Sequence, residues 1–196
     1  MFHMKQNKPT LILLEGHIGS GKSTTSTLIR EKLSNYTLYR LTGLPSDTDT
    51  ASKTYFYHSN ILCSIEDCSL LGANFVLDRT FISNLVFTRM GNKDYSFELE
   101  SETLCYTLRR IANKYDVYLI NLYCSNDGEL ERRLGGRNKF QYVSHHIEQA
   151  KKQRDEYHKY FEEKKDLEYL TVKEIDTTRK SSNEVLKEIV KIIGGE

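Results

Sequence analysis

Apolar residues in this chain fall into short unbroken runs, separated by longer stretches in which they recur every three or four positions. The runs read as buried strands and the spaced stretches as amphipathic helices, an alternation that builds a parallel sheet covered by helices. Residues 11–15 form the first expected strand, and residues 23–33 a helix with Leu28, Ile29 and Leu33 on one side. Residues 37–42 read as a second strand ending at Gly43-Leu44-Pro45. A long helix is expected over 50–71, closed by Gly72, the residue type favoured just past a helix end. The third strand covers 74–78, helical segments follow at 81–90 and 97–114, and the fourth strand spans 116–123. A short helix over 127–134, capped by Asn126 or Asp127, breaks at Gly135-Gly136. Ile147, Ala150, Tyr157, Tyr160 and Phe161 recur at helical spacing across 143–163, and 172–176 supplies a fifth strand. In the last helix Val185, Leu186, Ile189, Val190 and Ile193 share one face, and Gly194-Gly195 ends it. The expected class is therefore α/β, a three-layer sandwich around a five-stranded parallel sheet.

Length and composition narrow the picture without deciding it. At 196 residues the chain suits a single domain, 1–196, long enough to bury its own core. Charge is balanced, 28 Lys+Arg against 27 Asp+Glu for a net +1, which argues against bulk binding of nucleic acid. No apolar run approaches the roughly 18 residues of a membrane span. The stretch Met1 to Lys8 is too polar and short for a signal peptide. Cys63, Cys68, Cys105 and Cys124 form no C-x-x-C pair, so buried free thiols in a reducing cytoplasm are expected.

Chemistry concentrates at Gly16-His17-Ile18-Gly19-Ser20-Gly21-Lys22-Ser23, directly behind the first apolar run and in front of a helix. The spacing is G-x-x-x-x-G-K-[ST], in which glycines let successive N–H groups turn inward onto phosphate oxygens. Lys22 can reach the β- and γ-phosphates, the Ser23 hydroxyl can sit on magnesium, and the helix start adds its positive end. Residues 16–24, Thr24 included, are the expected cradle for ATP.

Two further groups make a phosphate loop into a candidate transfer site. Asp78-Arg79 ends the third strand, where the carboxyl edge of a parallel sheet flanks its ligand crevice. Asp78 there can hold magnesium or its water shell, and Arg79 can fork onto a phosphate. Arg132, Arg133, Arg137 and Lys139 cluster beside Gly135-Gly136, as a closing lid over about 133–142 would require. Pairing with Glu129 and Glu131 on a solvated helix is the competing account. Asn113-Lys114-Tyr115-Asp116 spells a guanine-reading motif but precedes a strand rather than following one, so a GTPase is set aside. The histidines, including His58, His145, His146 and His158, read as ordinary packing or surface groups. Tyr55-Phe56-Tyr57 reads as core, with stacking on a substrate base as the alternative.

With these features in place, the chain resembles the thymidylate kinase-like branch of P-loop nucleoside and nucleotide kinases. Glu15 to Thr24 is similar to the phosphate loop of both thymidylate and deoxynucleoside kinases, with Ile18 closer to the latter. Asp78-Arg79-Thr80-Phe81-Ile82-Ser83-Asn84-Leu85-Val86-Phe87 resembles the thymidylate kinase stretch whose Arg binds the acceptor phosphate, which implies that role for Arg79. Leu130-Glu131-Arg132-Arg133 with Arg137 resembles the lid, and Glu174 to Thr178 the last strand. The chain departs from the family after the second strand. Arg40-Leu41-Thr42-Gly43-Leu44-Pro45 carries no Glu, where deoxynucleoside kinases place the base that takes the 5′-hydroxyl proton. An already ionised monophosphate needs no such base. The resemblance thus implies ATP- and magnesium-dependent transfer to a (deoxy)nucleoside monophosphate, dTMP foremost. Lys22, Asp78, Arg79 and either Arg133 or Arg137 would carry it. The alternative is a deoxynucleoside kinase with Asp47, Asp49 or Asp78 as base; a kinase acting on DNA and an ATPase switch rank below both. Related kinases are often homodimers, although no stretch of this sequence marks an interface.

Overall fold

Strand β1, Thr10–Gly16, is apolar from Leu11 to Leu14, and none of these four residues is exposed. A strand that buries both faces must lie inside a covered sheet. In the computed structural model, which describes residues 8–45, 49–135 and 143–194, β1 is the middle strand of five. The others are β2 (Tyr36–Arg40), β3 (Asn74–Asp78), β4 (Asp116–Tyr123) and β5 (Thr171–Asp176). Their order is β2-β3-β1-β4-β5, and every pairing is parallel.

Side chains alternate across a strand, so the two faces of β1 fill two cores. Leu11 and Leu13, with Phe75, Leu77, Val117 and Leu119, meet helices α2 (Ala51–Asp67), α3 (Phe81–Arg89), α4 (Glu98–Ile111) and α6 (Val143–Lys164). Ile12 and Leu14, with Val76, Ile120, Leu122 and Ile175, meet α1 (Lys22–Lys32) and α7 (Ser182–Gly194). Full burial of each such side chain contributes about 1.5–3 kcal/mol. A third, smaller cluster joins Leu130 and Leu134 of α5 (Asp127–Gly135) to Cys124 and Ala150. The three-layer α/β architecture expected from the sequence is present. Among the described residues, no helix is long and apolar enough to cross a membrane.

Three expectations need correction. The helix expected to run to residue 71 stops at Asp67 and tightens into a 3-10 turn over Cys68–Leu71 before Gly72, whose φ of 65° takes the left-handed turn. Only Cys124 of the four thiols is buried: Cys63 faces outward from α2, and Cys68 and Cys105 are half-covered. Val190 lies off the packed face of α7 and is 39% exposed, because a helix of this width buries only Val185, Leu186 and Ile189. At α5 the two cap candidates resolve to Asn126, whose Oδ1 accepts the Glu129 N–H at 2.8 Å.

Candidate functional site

The carboxyl ends of β1, β3 and β4 converge where the sheet order changes direction. In a parallel sheet this is the position of the ligand crevice. Residues 16–21 link β1 to α1 here, and their geometry requires glycine. Gly16 has φ 146°, and a Cβ on it would stand 2.2 Å from the Leu122 carbonyl oxygen. Gly19 has φ 83°, and its Cβ would meet Leu130 at 2.8 Å. Gly21, φ 91°, precedes α1 with no side-chain cap. An α-helix leaves its first N–H groups without intrahelical acceptors, so the uncapped start of α1 is suited to an anion.

Side chains distant in sequence hold this loop in shape. The buried His17 ring accepts the Cys124 N–H on Nε2 at 2.9 Å and bonds the Ile18 carbonyl through Nδ1 at 2.7 Å. That pairing requires the neutral Nδ1–H tautomer. Burial, with the Arg154 and Lys22 charges nearby, lowers the His17 pKa to about 4 despite the Ile18 bond. From α6, Gln153 accepts the Ile18 N–H at 3.0 Å, and Arg154 donates to the Cys124 carbonyl at 2.9 Å. The Thr177 hydroxyl, just past β5, shares its one proton between the Ser20 and Tyr123 carbonyls.

Two cavities flank the loop. The first, of about 270 Å³, lies between the loop and the chain after β5; Gly19, Ser20, Gly21, Thr24, Arg132, Arg133, Thr177 and Lys180 line it. The second, of about 410 Å³, is lined by Ser23, Arg40, Leu41, Thr42, Asp78, Arg79 and Phe87. Asp78 is nearly buried there; its Oδ2 accepts the Ser26 hydroxyl at 2.9 Å, and Lys22 Nζ lies 3.8 Å from Oδ1. Arg40 Nε also stands 3.8 Å from Asp78, and its other end reaches Thr27 and the Ser23 carbonyl. Arg79 has φ 73°, a left-handed backbone uncommon for a residue with a side chain. Its N–H donates to the Leu14 carbonyl at 3.1 Å, and its guanidinium lies over the Phe87 ring and reaches Ser83.

The structure brings Lys22, Ser23, Asp78 and Arg79 together and adds Arg40 from the end of β2. Arg133 is placed differently from a group closing over a transferred phosphate. It donates to Gly19 O, to Thr177 Oγ1 and O, and to Glu129, so its fork braces the loop from the α5 side. Arg132 pairs with Glu129 on an exposed face, the competing account given above. Arg137, Lys139 and most of the expected lid lie outside the described residues, as does Asp47. Asp49 is not poised as a base toward the second cavity. It is enclosed by Lys93, Thr54 and Tyr95, and although burial raises its pKa, those three hydrogen bonds outweigh it and hold it low. Tyr55 and Tyr57 pack on the core while Phe56 is 62% exposed. Asn113 to Asp116 turns between α4 and β4, at the amino-terminal ends of the strands and away from the loop, with Lys114 paired to Glu66.

The donor set also fits magnesium. That ion takes oxygen ligands, keeps several waters and relies on substrate phosphates for the remainder. Ser23 offers a hydroxyl and Asp78 a carboxylate within one cavity. Among the described residues, no group of three or more His, Cys, Asp or Glu side chains is placed to hold a metal ion.

No protein-family model matches the chain, and no curated protein matches it by sequence. Solved structures do. The sheet order, phosphate loop and crevice define the class of P-loop kinase folds, and the likeness is to its thymidylate kinase-like members. The YorR protein of Bacillus subtilis, in complex with phosphorylated GDP, aligns with TM-score 0.64 at 20% identity, over 94% of this chain and 96% of its own. Thymidylate kinase of Candida albicans aligns at 0.59 and 18%, covering 96% and 92%. Deoxyadenosine kinase of M. mycoides, bound to its products dCMP and dCDP, aligns at 0.56 and 15%, covering 95% and 100%. The chain has the fold of a P-loop nucleotide kinase.

Proposed function

We propose that this chain transfers the γ-phosphate of ATP to a (deoxy)nucleoside monophosphate, with dTMP the foremost acceptor. The observation that carries the reading is that Arg40 and Arg79 both line the second cavity, whose one carboxylate among the described residues, Asp78, is engaged by Ser26 and flanked by Lys22 and Arg40. Two guanidiniums suit an incoming phosphate, whereas a nucleoside hydroxyl calls for a free carboxylate to take its proton. The structural neighbours include a thymidylate kinase, and the Asp78 to Phe87 stretch favours the same acceptor.

In this reading ATP lies across the loop, its phosphates on the N–H groups of 16–24 and on Lys22, its nucleoside toward the first cavity. Magnesium would be held by Ser23 and the phosphates, with Asp78 reaching its water shell, and would neutralise charge on the transferred group. An acceptor phosphate oxygen attacks the γ-phosphorus, the bond to the β-bridging oxygen breaks, and ADP leaves; no proton need be removed. Arg79 and Arg40 hold the acceptor, and Arg137 is the lid arginine to test, since Arg133 braces the loop. Catalysis is positioning with electrostatic stabilisation. Unpaired thiols and near-zero net charge fit a cytoplasmic enzyme acting on small nucleotides rather than on nucleic acid.

Incubation with ATP, magnesium and a panel of nucleosides and monophosphates tests the proposal. Phosphorylation of a monophosphate is expected. Turnover of nucleosides alone would establish a deoxynucleoside kinase instead, and activity confined to oligonucleotides, or ATP hydrolysis without a phosphorylated product, would overturn the acceptor class altogether.

A further inference from the structure

Glu15 is the last side chain of β1 before the loop, and it is fully buried. Three hydroxyls surround its carboxylate: Thr80 at 2.6 Å on Oε1, with Ser83 at 2.7 Å and Tyr157 at 3.1 Å on Oε2. Those groups come from the start of α3 and from α6. The Ser83 oxygen in turn accepts from Arg79 Nη1 at 3.3 Å, while the residue before Glu15 accepts the Arg79 N–H. Burial pushes the Glu15 carboxyl above its usual range, opposed by the Thr80 and Ser83 bonds and by the charges of Arg79 and Lys22.

We infer that Glu15 is a positioning residue for the acceptor-phosphate grip: through Ser83 and Thr80 it aims Arg79, and through Tyr157 it ties that aim to α6. Three hydroxyls and the charges of Arg79 and Lys22 beside it favour the ionised form of Glu15, which only accepts; the single Ser83 proton turns toward it, and the Ser83 lone pairs face Arg79 at 3.3 Å and the Tyr157 hydroxyl at 2.8 Å. Thr80 donates to Glu15 while accepting the Ile82 N–H, which fixes the first turn of α3 directly after Arg79. The uncommon Arg79 backbone is thereby held at both flanks, by Leu14 and by Thr80. Helix α6 contacts the same region through Gln153, Arg154 and Tyr157, and it is the helix that follows the expected lid. Its placement and the aim of Arg79 therefore meet at one carboxylate.

The inference rests on the monophosphate reading above. Glu15→Gln keeps the shape of the side chain but supplies an amide that must donate, so either Thr80 or the Ser83–Tyr157 pair loses its acceptor and the hold on Arg79 loosens. The measurement is the affinity, by calorimetry, of the panel's best monophosphate (dTMP in the first instance) and of ATP, with KM and kcat alongside. Glu15→Gln is expected to weaken the monophosphate by about tenfold or more, a charged hydrogen bond's worth, and to change ATP affinity by less than about twofold. In an Arg79→Ala background the same substitution should add no further loss, because its effect passes through Arg79. If Glu15→Gln does not fold, Tyr157→Phe carries the same comparison, with a smaller loss that also vanishes without Arg79. Additive losses, or ATP weakened as far as the acceptor, would overturn the role of Glu15 and leave the monophosphate reading standing. A wild-type protein that phosphorylates nucleosides and binds no monophosphate would overturn both.

Discussion

Lys22 and Gly16 act on different links of the same chain of causes. In the proposed function Lys22 contributes charge to bound phosphates, so Lys22→Ala should lower turnover by orders of magnitude with the melting temperature nearly unchanged; near-normal activity would refute that role. Gly16 contributes space, since any Cβ there collides with the Leu122 carbonyl oxygen on β4. Gly16→Ala should therefore cost at least about 2 kcal/mol of stability by urea unfolding, through overpacking and an unfavourable φ. Two buried histidines add a pH signature. Burial lowers the pKa of both His17 and His58 to about 4 from 6.5. Each therefore binds its proton more weakly folded than unfolded, so stability is complete above 6.5 and is lost as pH falls toward 4. From pH 7 to 5 that loss is about 2 kcal/mol per histidine. The loss between those pH values should be smaller by one such share in His58→Gln, and a variant as acid-sensitive as the wild type would contradict the assignment. At this scale the sequence yielded the loop, Asp78 and Arg79, because their spacing is local. It did not yield the roles of Glu15, His17 or Gln153. Tyr157 stands 142 positions from Glu15, and Gln153 stands 135 from Ile18, so nothing in their own neighbourhoods announces the contact.

Helix α5 shows how an element delivers a residue to the site. Asn126 caps it, Leu130 and Leu134 pack beside the loop at Gly19, and Arg133 then reaches Gly19, Thr177 and Glu129. Removing the cap with Asn126→Ala should cost about 1 kcal/mol. Because the frayed first turn carries Glu129, the carboxylate that holds Arg133 against the loop, KM for ATP should rise several-fold while acceptor KM holds. Equal rises in both would mean that α5 serves the whole crevice rather than the donor side. Strands and most helices were legible because burial on two faces forces unbroken apolar runs and burial on one face forces a 3.6-residue period. The end of α2 was not, since Cys68 to Leu71 satisfies the same apolar spacing whether it winds as an α-helix or a 3-10 turn. The exposed thiol of Cys63 escaped for a related reason: residue type gives a tendency to be buried, while the helix face decides it.

For the whole molecule, the decisive arrangement is two cavities flanking one glycine-rich loop, of about 270 Å³ where the proposal seats the donor and about 410 Å³ where it seats the acceptor. Gly19, Ser20, Gly21 and Thr24 face the first, and Ser23 with Asp78 the second, so the loop lies between the two. Such a layout brings two polyanions together only if positive charge lies between them, which Lys22, Arg40 and Arg79 supply. It follows that adenosine and a deoxynucleoside joined through five phosphates should occupy both cavities at once. The second half then binds intramolecularly, at an effective concentration of the order of millimolar for a short linker. Affinity at least about tenfold tighter than that of ATP is expected by calorimetry, with the advantage lost in Arg79→Ala and reduced in Arg40→Ala. An analogue no tighter than ATP, or one whose advantage survives loss of both arginines, would place the acceptor somewhere other than the cavity beside Asp78.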